Sequence, residues 1–147
     1  MGDGTSIGKV RGLGSAHGGS QHWLVQRFTA IGNLLLVVWL IASLLMLPSL
    51  DYRTVIEWIV RPFPATAMAL LIVTTFWHAR LGMQIMLEDY VHEPANKFAC
   101  MVVLNFATFA GAAMGLFFIA RIVMIALAQA AAQEATAAAL QAMQGAR

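Results

Sequence analysis

FTAIGNLLLVVWLIASLLMLPSL, residues 28–50, runs for 23 residues between Arg27 and Asp51 without one charged side chain. A helix that crosses a hydrocarbon core of about 30 Å needs about 20 apolar residues. The stretch meets that length. Proline lacks the backbone N–H and clashes with the preceding turn, so Pro48 closes the run and a span is expected over 28–47.

Two further runs lie outward from it. Pro62 and Pro64 precede a second span, expected over 65–87 and interrupted in composition only by Arg80. The third, expected over 98–127, continues past Arg121. The whole composition agrees: of 147 residues, 60% are hydrophobic and 11% charged, against about 25% charged in soluble domains. Sixteen Asp, Glu, Lys and Arg side chains are too few to cover a soluble protein of this size. The expected fold class is an all-α membrane protein with three transmembrane helices. A net charge of +2 argues against a nucleic-acid surface, and the single cysteine, Cys100, excludes an intrachain disulfide.

The ends differ in kind from the spans. Seven of the first 19 residues are Gly, so 1–22 is expected to be a flexible tail. Residues 23–128 form the anchor domain, and 129–147 an Ala-rich tail that should extend the third span as a helix. No cleavable signal sequence is visible, and an Arg- and Ser-rich presequence is missing. This favours a bacterial inner membrane. Lys and Arg divide four against four between the two sides, leaving out Arg80, so charge bias does not orient the chain.

Ionisable groups inside a span are costly and mark functional candidates. His78 lies nine residues before Leu87, about 13 Å from that helix end. Neutral imidazole is an axial ligand for haem iron. Thr74, Thr75 and Gly82 are its neighbours one turn away, and the missing side chain at Gly82 leaves room for a flat macrocycle. A histidine bonded to a neighbouring helix carbonyl is the other reading. His17, His22 and His92 fall outside the expected spans. If His78 binds a six-coordinate haem b, the second ligand must come from another chain, so the sequence implies either a partner subunit or no haem. Arg80 stands about 200° around the helix from His78 and is expected to snorkel.

Arg27, at the start of the first span, reads as an interfacial anchor beside Trp23 or as a cation for a haem propionate or quinone headgroup. Tyr90 follows Asp89 at the end of the second span. A phenol there is a belt residue or a hydrogen-bond donor to a quinone carbonyl. Consecutive spans are antiparallel, so Arg27, Asp89 and Tyr90 are expected at one level. Gly111 and Gly115 form a small-xxx-small step for close helix packing, within the chain or against a partner.

Gly14-Ser15-Ala16-His17, His22-Trp23, Gln26-Arg27-Phe28-Thr29-Ala30, the run from His78 to Gln84 and Glu88-Asp89-Tyr90-Val91 together resemble the family of small hydrophobic membrane anchors of succinate dehydrogenase, at the membrane end of respiratory complex II. The resemblance covers about residues 12–127 and leaves out the glycine-rich start and the Ala-rich tail. It implies pairing with a second, similar three-span anchor subunit in a helical bundle, with haem b between the two. His78 would supply one axial ligand to the iron and the companion anchor the other. Tyr90 would hydrogen-bond ubiquinone, the substrate, with Asp89 beside it. Arg27 would lie near the haem propionates and the quinone mouth. The flavoprotein and iron–sulfur subunits would dock on the cytoplasmic side, with the N-terminus cytoplasmic and the C-terminus periplasmic. The chain carries no flavin motif or cysteine cluster, so it would act in succinate:quinone oxidoreduction only as one part of the complex. A fumarate reductase anchor using menaquinone and a cofactor-free assembly protein are the alternatives.

Overall fold

The computed structural model describes residues 19–145. Residues 1–18, which hold most of the glycine-rich stretch and His17, lie outside the described residues, as do 146 and 147. The chain forms α1 (Gly19–Leu45), α2 (Tyr52–Ile59), α3 (Pro62–Tyr90) and α4 (Pro94–Gly145), with no strand among the described residues. Three of these helices, α1, α3 and α4, are long and apolar enough to cross a membrane.

The helices outrun the uncharged segments because charge reports the hydrocarbon, not the helix. Residues 19–22, read from sequence as tail, are the first turn of α1. Gln21, His22 and Gln26 are compatible with a helix and only unwelcome in lipid. At the other end α1 tightens: Met46 N donates to Ala42 O and Leu47 N to Leu44 O, a shift from four-residue to three-residue spacing just before Pro48.

The link to α3 contains a helix that the apolar pattern does not reveal. Asp51 caps α2 by accepting from Thr54 N at 2.8 Å, and Ser49 Oγ donates to its other oxygen at 2.6 Å. Those bonds, Ser49 first and Thr54 next, hold the Asp51 carboxyl below its ordinary range. The cap turns Trp58 and Ile59 inward. Trp58 stacks on Trp39 of α1 at 5.9 Å between ring centroids, and Phe63 meets Trp39 edge-on at 5.4 Å. α3 starts with Pro62 in its first turn, where the missing N–H is not needed.

α3 is the central helix, packed on α1, α2 and α4. Against α4 the contact is steric. The Phe76 ring fills the space where a Cβ at Gly111 would stand, and Ile72 Cγ2 would lie 2.8 Å from a Cβ at Gly115. The small-xxx-small step therefore serves packing inside this chain. Beyond the bundle, α4 runs unbroken to Gly145, 52 residues in all, or about 78 Å. Alanine has the highest helix propensity, which lets the exposed Ala-rich end stay helical.

Candidate functional site

The second face of α3 meets α1 through polar groups. His78 Nδ1 lies 3.0 Å from Thr29 Oγ1. One turn deeper, Asn33 Nδ2 donates to Thr74 O and Thr75 Oγ1 donates to Asn33 Oδ1, both at 3.5 Å. Thr29 Oγ1 is also 2.9 Å from Val25 O and 3.0 Å from Gln26 O. His78 is half-buried, and its hydrogen bonding among the described residues involves Nδ1 alone. Space is open at Gly82, the next turn of α3, where a Cβ would meet nothing within 4 Å. The site thus presents an imidazole inside a span, held by one nitrogen, beside a gap in the helix surface. That donor type and that space fit a haem iron ligand.

Thr29 is the residue that sequence reading left without a role. Its hydroxyl inside a span was a visible signal, because Thr side chains bond across membrane helices. Its partner was not visible, since the α1–α3 register had to be known first.

The same bonds fix that register. Residue 29 faces 78 and residue 33 faces 74, so Arg27 stands at the level of Arg80 along the bundle. Arg27 lies two residues from the Thr29 level and Tyr90 twelve from the His78 level, in the same direction. At 1.5 Å per residue, they are about 15 Å apart along the bundle. The expectation that Arg27, Asp89 and Tyr90 share a level therefore fails. Antiparallel order says which ends meet, not how far they are offset.

The remaining candidates fall as follows. Arg27 is exposed and its guanidinium carbon sits 5.4 Å from the centroid of the Trp23 ring. Tyr90, the last residue of α3, is 78% exposed, and Asp89 beside it is exposed too. The end of α3 is pinned below them, where Lys97 Nζ donates to Glu88 O at 2.9 Å. A lysine there also suits the negative end of the helix dipole. Arg80, expected to snorkel, has its head group held within the chain. Its Nε donates to Asn105 Oδ1 at 2.5 Å, and its guanidinium covers Trp77 at 5.4 Å. His22, expected outside the spans, lies in α1 with Nε2 buried and unpartnered among the described residues. No cluster of three metal-ligating side chains occurs among the described residues.

Comparison with known proteins gives one consistent answer. The family model of succinate dehydrogenase/fumarate reductase transmembrane subunits matches residues 1–112. The chain is 38% identical over 101 residues to the succinate dehydrogenase hydrophobic membrane anchor subunit of Rickettsia conorii, covering 67% of this chain and 80% of the relative. The protein of the same name from Rickettsia bellii is 39% identical over 85 residues, 58% of this chain and 68% of the relative. That of Paracoccus denitrificans is 30% identical over 109 residues, 73% and 84%. With three helices able to span a bilayer and a family match over most of its length, the chain belongs to the succinate dehydrogenase/fumarate reductase transmembrane subunits.

Proposed function

We propose that this chain is the membrane anchor of a succinate dehydrogenase, in which His78 is one axial ligand of a haem b and the end of α3 forms part of the ubiquinone-reduction site. The observation that carries the reading is His78 itself: an imidazole inside a span, bonded through Nδ1 to Thr29, with open space at Gly82. The names of the relatives favour succinate dehydrogenase over the fumarate reductase that the family description also covers.

Haem b, when bound, supplies one-electron redox capacity close to the quinone site. Every other role belongs to the side chains. His78 would hold the haem iron through the ring nitrogen that Thr29 leaves free. Arg27 lies within two residues of the Thr29–His78 level, so its cation is assigned to a haem propionate in preference to the quinone mouth. Tyr90, about 18 Å from the His78 level, donates its phenolic proton to a quinone carbonyl. That bond strengthens as the oxygen gains negative charge on reduction. Asp89 accepts protons from the aqueous side and passes them toward the site.

The second haem ligand comes from a companion three-span anchor. An iron–sulfur protein and a flavoprotein complete the electron path from succinate, and the chain alone performs no turnover. The complex sits in a bacterial inner membrane, with this chain's N-terminus cytoplasmic and its C-terminus periplasmic. The large exposed apolar side chains of α1 and α4, among them Phe28, Leu34, Phe106 and Phe117, supply the surface for lipid and the companion anchor. Purification in mild detergent tests the reading. It should recover three companion chains and a reducible b-type band. Purified chain with no companions and no haem band would overturn it.

A further inference from the structure

We infer that Thr29 is a positioning residue that sets the tautomer and ring plane of His78, so that Nε2 carries the free lone pair. This rests on the haem reading above and names the group that prepares its ligand.

A hydroxyl has one proton to give and two lone pairs to accept with. Thr29 Oγ1 has three neighbours within 3.0 Å: the carbonyls of Val25 and Gln26, and His78 Nδ1. Carbonyls only accept. The Thr29 proton goes to one of these two carbonyls of its own helix, and an Oγ1 lone pair then faces Nδ1. The bond to the ring is therefore Nδ1–H donating to Thr29. The opposite assignment would place the ring proton on Nε2, where no described residue accepts it. An unpaired donor inside a span is the more costly arrangement. With the proton on Nδ1, the Nε2 lone pair is free for a metal, and the hydroxyl bond resists rotation of the ring. Ligating histidines elsewhere are held in the same way, by an acceptor on the far nitrogen that also raises the ligand's basicity.

The bond is anchored by the chain itself. Thr29 is tied to its own helix through residues 25 and 26, and Asn33 one turn deeper bonds the Thr74–Thr75 turn just before His78. The position of Thr29 is thus fixed before any cofactor arrives.

The experiment compares Thr29→Val, Thr29→Ser and wild type in the purified complex, with His78→Ala as control. The readouts are the midpoint potential of the haem and the g-values of its oxidised low-spin form. Thr29→Val keeps the branched shape and removes the hydroxyl. It should retain the haem, raise its potential, because a less basic imidazole stabilises the oxidised iron less, and shift or broaden the g-values. Thr29→Ser should restore both. If Thr29→Val does not assemble, Thr29→Ala removes the hydroxyl without adding bulk and is read in the same way. A hydroxyl-free variant with wild-type potential and g-values would overturn the inference, as would Thr29→Ser behaving like Thr29→Val. In either case loss of the haem band in His78→Ala would leave the haem reading standing. An unchanged band at an unchanged potential in that control would bring down both.

Discussion

The two faces of α3 are built on opposite principles. The face toward α4 is closed: Phe76 and Ile72 enter the gaps at Gly111 and Gly115, and Arg80 finds Asn105 and Trp77 within the same chain. The face toward α1 is polar, bonded at Thr29–His78 and at Asn33, with His78 bonded through Nδ1 alone among the described residues and open space beside Gly82. One face finishes the fold. The other holds two helices in register through hydrogen bonds and carries the site proposed above for a ligand. Steric packing in lipid is strong because it excludes alternatives, whereas hydrogen bonds between membrane helices contribute little each. The face proposed to carry a ligand can therefore be polar without weakening the bundle.

Breaking the steric face should have the largest effect. Gly111→Leu forces a side chain into the space of the Phe76 ring. Overpacking of this kind costs about 1–3 kcal/mol, and a rigid ring wedged between two helices yields less readily than a flexible chain end. The expected result is loss of the assembled complex from detergent extracts, measured by co-purification and by thermal inactivation. Gly111→Ala should give a milder form of the same defect.

On the functional side, Tyr90→Phe keeps the ring and removes only the hydroxyl. It should leave assembly, haem content and succinate oxidation with a soluble acceptor intact, while quinone reduction at limiting quinone falls about tenfold. Equal turnover would make Tyr90 a belt residue.

Breaking the polar face away from the ligand should do much less. Asn33→Leu removes bonds of 3.5 Å, and interhelical hydrogen bonds in membranes average about 0.6 kcal/mol. Assembly should persist with a small drop in thermal midpoint. A collapse comparable to Gly111→Leu would contradict the division of labour between the faces.

The smallest effect belongs to the α2 cap. The Asp51 carboxyl is held below its ordinary range by Ser49 and Thr54. A group whose folded value is depressed stabilises fully above its unfolded value and loses that contribution as pH falls through the folded value. Asp51→Asn should therefore differ least from wild type at acidic pH. Differential labelling of the α2 region across a pH series would check the sign.

These contrasts also explain what was legible in sequence. Uncharged runs of 18 to 23 residues show the spans, because lipid penalises charge wherever it occurs along the helix. His78 was legible for the same reason. Hydropathy did not show the helix ends: α1 begins at Gly19, before the uncharged run, while the extension of α4 to Gly145 was legible in its alanines and not in its hydropathy. α2 is only eight residues long, and its one readable mark is the Asp51 cap. Thr29 and the offset of Arg27 from Tyr90 depend on register between helices, and register is set by pairs of residues far apart in the chain. His78 and Thr29 are 49 positions apart, and nothing local to either declares the other.

The central claim is that His78 holds an iron. The most direct measurement is the reduced-minus-oxidised visible spectrum of the purified His78→Ala complex, set beside wild type at equal flavin content. Loss of the b-type band, or its conversion to a high-spin form with an altered potential, is the predicted result. An unchanged band at an unchanged potential would contradict the account and assign both haem ligands to other chains.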